Sequence, residues 1–195
     1  MKIKSTLLVV LIILINCNCT KNKYVYYIKD SIKPWSYFKQ GSYWIFYNEN
    51  TKSLDSNYIN KKEDILIQPD SPPQYEHIYI NISSNFINHY TIFRNSDDSY
   101  LELGYLNVLS ASIIEGSSSI ISTTCRLINV FDVLTINGNN FKNVIQTQNT
   151  SIYNQDTTIT NYYFVKNIGL VKKEINYLNM DSISTRSLIR WHVVQ

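Results

Sequence analysis

Glycine is scarce in this chain, with 5 in 195 residues. No glycine-rich loop is present to cradle a phosphate or a dinucleotide on its backbone N–H groups. Histidine is rarer still. His77, His89 and His192 are the three, and none stands in a His-x-x-x-His pair or beside a Cys-x-x-Cys. The spacing of a zinc site is missing, so no metal and no cofactor is expected. A Gly-x-Ser-x-Gly elbow is absent, and no cysteine has a recognisable histidine partner. These gaps remove the usual signatures of nucleophilic catalysis, and no catalytic residue is assigned.

Charge is also thin. Asp, Glu, Lys and Arg make up 17% of the chain, against about a quarter in an ordinary domain. That argues against a coiled coil or a charged disordered tail. The formal charge is +3, and two of the cations, Lys2 and Lys4, lie at the extreme N-terminus. The rest of the chain is near neutral, with no clustered basic face for nucleic acid.

What is present begins with an address. Met1-Lys2-Ile3-Lys4 is a basic start, and Leu7 to Ile15 is an unbroken apolar run. A membrane span needs about 20 apolar residues. The run is too short for that and reads as the core of a cleaved export leader. It ends at Leu14-Ile15-Asn16-Cys17, which resembles the lipobox of bacterial lipoproteins. The resemblance implies cleavage before Cys17 and acylation of its thiol, with Asn16 standing where Gly, Ala or Ser is usual. Several acyl chains bury enough CH₂ groups for stable anchoring. Cys19 is the fallback, behind a poorer box. The expected layout is a signal peptide over 1–16, a lipidated cysteine and polar tether over 17–23, and one domain over 24–195. No acidic residue follows Cys17 directly, so the periplasmic face of the outer membrane is the expected location.

The domain reads as all-β. Sixteen tyrosines and many Ile, Thr and Asn residues favour strands and polar turns. Short β-type runs recur between Asn, Asp, Ser, Gly or Pro clusters, as in a sandwich or barrel. In Tyr75 to Ile82, Ile78, Ile80 and Ile82 share a face. Leu134, Ile136, Phe141 and Ile145 do so around Asn137-Gly138, a favoured type I′ turn, whether its loop holds two residues or four. Ile189, Trp191 and Val193 are expected to point inward, with Arg190 and His192 outward. Single strands are expected over 100–108 and 120–130, and one helical turn from Pro34 to Gly41. Cys125 reads as a small buried residue, with a bridge to Cys19 the less favoured alternative. Asp97-Asp98 sits in a Ser/Asp/Asn turn.

Two stretches resemble small Bacteroidetes-type lipoproteins of uncharacterised role. Tyr37 to Tyr47 (YFKQGSYWIFY) is similar to their opening motif, an aromatic pair before a glycine and then an aromatic strand, with Asp55-Ser56 following. Asn161 to Lys172 is similar to their closing hairpin, turning at Ile168-Gly169, and Phe141 to Ile145 fits the same plan. The resemblance implies a lipid-anchored, curved antiparallel sheet, sandwich or half-barrel without assigned catalytic residues. The expected role is a non-enzymatic binding or scaffold domain for an envelope protein, glycan or lipid. The alternative is an apolar-ligand carrier with a cavity of several hundred Å³. Most aromatics are expected in the core. Trp35 and Tyr37, ahead of the strand, are the rings expected to be exposed as a binding surface.

Growth with a fatty-acid analogue should label the wild-type protein, and Cys17→Ala should abolish the label. Retention in Cys17→Ala with loss in Cys19→Ala moves the anchor to Cys19.

Overall fold

Alternating isoleucine, tyrosine and threonine commit long stretches of this chain to extended backbone, and tight polar turns decide which stretches pair. A computed structural model describes residues 25–67, 73–83, 89–94, 98–103, 106–122, 125–153 and 156–195. The leader, Cys17, Cys19, the tether and Asp97 lie outside the described residues.

The strands are β1 (Val25–Tyr26), β2 (Tyr43–Asn48), β3 (Ser53–Ile67), β4 (Gln74–Ser83), β5 (His89–Arg94), β6 (Ser99–Leu103) and β7 (Leu106–Ser110). They continue with β8 (Cys125–Ile136), β9 (Asn139–Tyr153), β10 (Asp156–Val165), β11 (Gly169–Tyr177) and β12 (Ser182–His192). Two single-turn helices, α1 (Lys33–Ser36) and α2 (Ala111–Ile114), accompany them. The strands form one sheet in the order β7-β6-β5-β4-β3-β2-β12-β11-β10-β9-β8, so the last strand closes the gap between β2 and β11. Every ladder on this path is antiparallel. The exception to the all-antiparallel expectation is β1, which adds two parallel pairs to β4. The all-β expectation stands, and the sheet is curled but open. Its edges β7 and β8 do not pair with each other. Instead Thr147 Oγ1 of β9 donates to the Val108 carbonyl of β7 at 2.7 Å, and Asn137 Nδ2 at the β8 end donates to the Leu188 carbonyl of β12 at 3.3 Å.

The curl buries β10 on both faces. Tyr162 and Phe164 point one way, Tyr163 and Val165 the other, and all four are buried. On one side Phe131 of β8 reaches Tyr163, with ring centres 6.4 Å apart. On the other, Phe164 lines a small pocket with Phe46, Ile82 and Leu101.

Ile78, Ile80 and Ile82 are buried together, as their alternation predicts. The β8–β9 turn holds two residues, Asn137 and Gly138, both at positive φ, with Ile136 opposite Asn139. Ile136, Phe141 and Ile145 are buried and Leu134 packs against them. Val144 is buried too, because Asn143 adopts a left-handed backbone (φ 52°) that interrupts the alternation.

Other expectations shift. Residues 100–108 make two strands of a hairpin, with Leu103 opposite Leu106. The strand expected over 120–130 starts at Cys125, where the N–H donates to the Ser122 carbonyl in a chain reversal. The helical turn ends at Ser36, five residues before Gly41. The last strand departs most. Its register slips between Leu188 and Arg190, a bulge that turns Ile189 outward, 37% exposed, and sends Leu188 fully inside. Trp191 and Val193 keep their inward packing, partly buried against the core.

Equilibrium denaturant unfolding separates the two neighbours. Leu188→Ala should cost roughly 2–5 kcal/mol, and Ile189→Ala no more than about 0.5 kcal/mol. Equal losses overturn the bulge.

Candidate functional site

The segment leading into α1 is held by side chains from the sheet. Ile28 N–H donates to Glu76 Oε2 at 2.7 Å, and Lys29 N–H donates to Ser99 Oγ at 2.9 Å. Pro34 starts the helical turn, where its missing N–H costs nothing. Trp35 is thereby pressed into the protein at 6% exposure.

Beneath α1 lies the turn between β10 and β11. Asn167 N–H donates to the Pro34 carbonyl at 2.6 Å, and Trp44 Nε1 donates to the Ile168 carbonyl at 2.6 Å. Gly169 makes the approach possible. Its φ is +89°, and a Cβ there would stand 2.9 Å from Phe38 Cε2 and 3.4 Å from the Trp35 carbonyl. The expectation that Trp35 is an exposed ring is therefore corrected, since this close docking seals most of it. Tyr37 is half-buried against the core.

Trp35 still borders an open cleft of about 810 Å³, within the roughly 300–1,000 Å³ of ligand pockets. Its apolar lining includes Trp35, Ile168, Val165, Phe141 and Trp191. The Phe141 and Trp191 rings meet at 5.4 Å. Its polar lining divides by charge. Asp30 and Glu115 come from the α1 and α2 side, while Lys142 and Lys166 come from β9 and the β10–β11 turn. Lys33 bonds Asp30 at 2.8 Å on the exposed rim, which lowers the pKa of that carboxyl. Glu115 is lowered likewise by hydrogen bonds from Ser31 at 2.7 Å and Lys29 at 3.2 Å. Lys142 and Lys166 have no ion pair among the described residues. Asn139, Asn140 and Asn143 complete the lining from the β9 hairpin tip.

Sequence reasoning placed Trp191 in the core, where it packs partly buried, and Asn139 and Asn140 in the turn, whereas both begin β9. Their meeting with α1 depends on pairing β12 beside β2 and curling β9 over it, for which no local pattern exists. A lysine-flanked Asn cluster at a hairpin tip was the available signal.

The remaining candidates are structural. Asp98, just ahead of β6, is buried and tied to α2, accepting from Ser99 N–H at 2.8 Å, from Ser112 N–H at 3.2 Å and from the Ser112 hydroxyl, and pairing with Lys29 at 3.5 Å. His77 is half-buried, which lowers its pKa, and His192 stacks on Tyr43 at 5.7 Å. Glu174 joins Tyr163 (2.6 Å) and Lys172 (2.7 Å). Burial alone would raise its carboxyl, but those bonds outweigh it and the shift is downward. Among the described residues no three His, Cys, Asp or Glu side chains gather as metal ligands, and no helix is long and apolar enough to cross a membrane. The smaller pocket that Phe164 lines is about 40 Å³.

No family model matches this chain, and no curated protein matches it. Among solved structures it is similar to a protein from Bacteroides fragilis with a YmcC-like fold, inferred to be exported, at 7% identity and a TM-score of 0.47. That match covers 80% of this chain and 97% of the other. It is also similar to an inferred lipoprotein from Parabacteroides distasonis, at 10% identity and a TM-score of 0.46, covering 79% of this chain and 96% of that one.

Cys125 is 1% exposed and free. Burial pushes its thiol up to about 12, so it is no nucleophile at neutral pH. In the native protein Cys125 should resist iodoacetamide for hours and react within minutes in denaturant. Rapid native alkylation at pH 7.5 overturns this.

Proposed function

We propose that this chain is an exported lipoprotein, anchored to the outer membrane by acyl chains on Cys17 and facing the periplasm, whose β-domain binds an envelope ligand in the α1–β9 cleft. The observation that carries the binding reading is the cleft itself, with apolar rings under a polar rim that has unpaired hydrogen-bonding capacity. The export reading is supported by the basic start, short apolar run and cysteine at its end.

Several features favour binding over catalysis. A general acid at neutral pH needs a carboxyl pushed upward. Asp30 and Glu115 are instead held low by their cationic and hydroxyl partners, which suits fixed rim contacts. The anchor fits the same picture. Eight residue-to-residue steps lead from Cys17 to Val25, a reach of at most roughly 29 Å, and Asp30, five residues further on, already borders the cleft.

The test uses the full chain in its own envelope. A photo-crosslinking amino acid at Asn140, on the cleft, should give an envelope adduct, and one at Thr51, in the β2–β3 turn, should not. In the same cells Cys17→Ala should move the protein from the membrane to the soluble fraction. Equal adducts at both positions, or wild-type protein in the soluble fraction, would refute the reading.

A further inference from the structure

The charge pattern of the cleft narrows the class of its ligand, an inference that rests on the binding role proposed above. We propose that the cleft binds an acidic saccharide, with a sugar ring stacked on Trp191 and its carboxylate met by Lys142 and Lys166.

Trp191 is partly buried and packed at a tilt against Phe141, with ring planes 47° apart. A packed indole is a rigid platform, and its face attracts the weakly positive C–H groups on the flat side of a pyranose. The rim provides what the sugar's edge requires. An asparagine amide offers two donors and an acceptor in one plane, matching neighbouring hydroxyls. Asn140 Oδ1 is already used by Thr135 Oγ1 at 2.7 Å, which fixes the amide and leaves its NH₂ to donate. Asn143 is held at the rim by its left-handed backbone.

Charge then selects among sugars. Both acids lining the cleft have cationic partners, Lys33 and Lys29, whereas Lys142 and Lys166 are exposed and without an ion pair among the described residues. Lys29 also serves Asp98 at 3.5 Å, so the positive charge is local to the Lys142 and Lys166 side of the cleft, where a carboxylate gains charge-assisted bonds that a neutral sugar lacks. The carboxylate can belong to a free polymer or to a glycolipid headgroup, since the recognising chemistry is the same.

Full-length protein in detergent is titrated with oligogalacturonate, maltohexaose and oligoglutamate, following tryptophan fluorescence. Oligogalacturonate should bind at least tenfold more tightly than the other two. Lys142→Gln/Lys166→Gln, altered only at exposed positions, should fold normally, weaken binding at least tenfold and remove most of its salt dependence. Trp191→Ala should abolish the fluorescence change. Vesicles bearing glucuronosyl diacylglycerol that displace the oligosaccharide identify a headgroup source. Displacement confined to free oligomers identifies a polymer, and both results support the proposal. Equal binding of maltohexaose, equal binding of oligoglutamate, an unaffected lysine variant, or no binding at all overturns it. An adduct from Asn140 in the envelope without saccharide binding sinks the sugar alone, and loss of both sinks the binding role as well.

Discussion

The cleft exists because α1 lies almost in contact with the β10–β11 turn, and that closeness depends on the missing side chain of Gly169. A methyl group there would sit 2.9 Å from the Phe38 ring, so Phe38 would have to move, and with it Trp44, whose ring centre lies 5.2 Å away. The bonds from Asn167 to the Pro34 carbonyl and from Trp44 to the Ile168 carbonyl both span this contact. The glycine therefore fixes the position of one side of the cleft relative to its floor. Among the described glycines Gly169 alone would crowd a β-carbon, while Gly41, Gly116 and Gly138 share only its positive φ.

Asp55 shows how a short motif can act over distance. It lies on β3, yet its carboxylate meets Arg186 of β12 at 2.7 Å, reaching across the intervening β2. Both groups are largely shielded from water, so the pair is screened less than a surface bridge. The last strand must lie between β2 and β11 for this contact to form. The bond thus reports correct insertion of β12, the step that joins the two halves of the sheet.

Local physics made much of the fold legible. Ile78, Ile80 and Ile82 declare their face by period alone, and Asn137-Gly138 declares its turn because few residue pairs tolerate positive φ twice. The failures share a cause. Ile189 and Leu188 exchange places because a bulge resets the register, and nothing near them in sequence encodes the slip. Trp35 is buried by a turn more than 130 residues away. The cleft was least legible, since Trp191, Asn140 and Lys142 acquire a common purpose only after β9 has curled over β12.

An open sheet leaves two strands with unpaired backbone, and β8 is the longer of them. Such an edge is a template on which another copy of the chain can add a strand. Ile128, Val130 and Val133 are exposed on β8, so a flat strand here would invite edge-to-edge zipping into fibres. The ladder instead slips between Leu127 and Asn129, and the exposed charges of Arg126 and Asp132 flank that slip. The kink and charges act as gatekeepers, keeping the sheets of neighbouring copies from growing into one another.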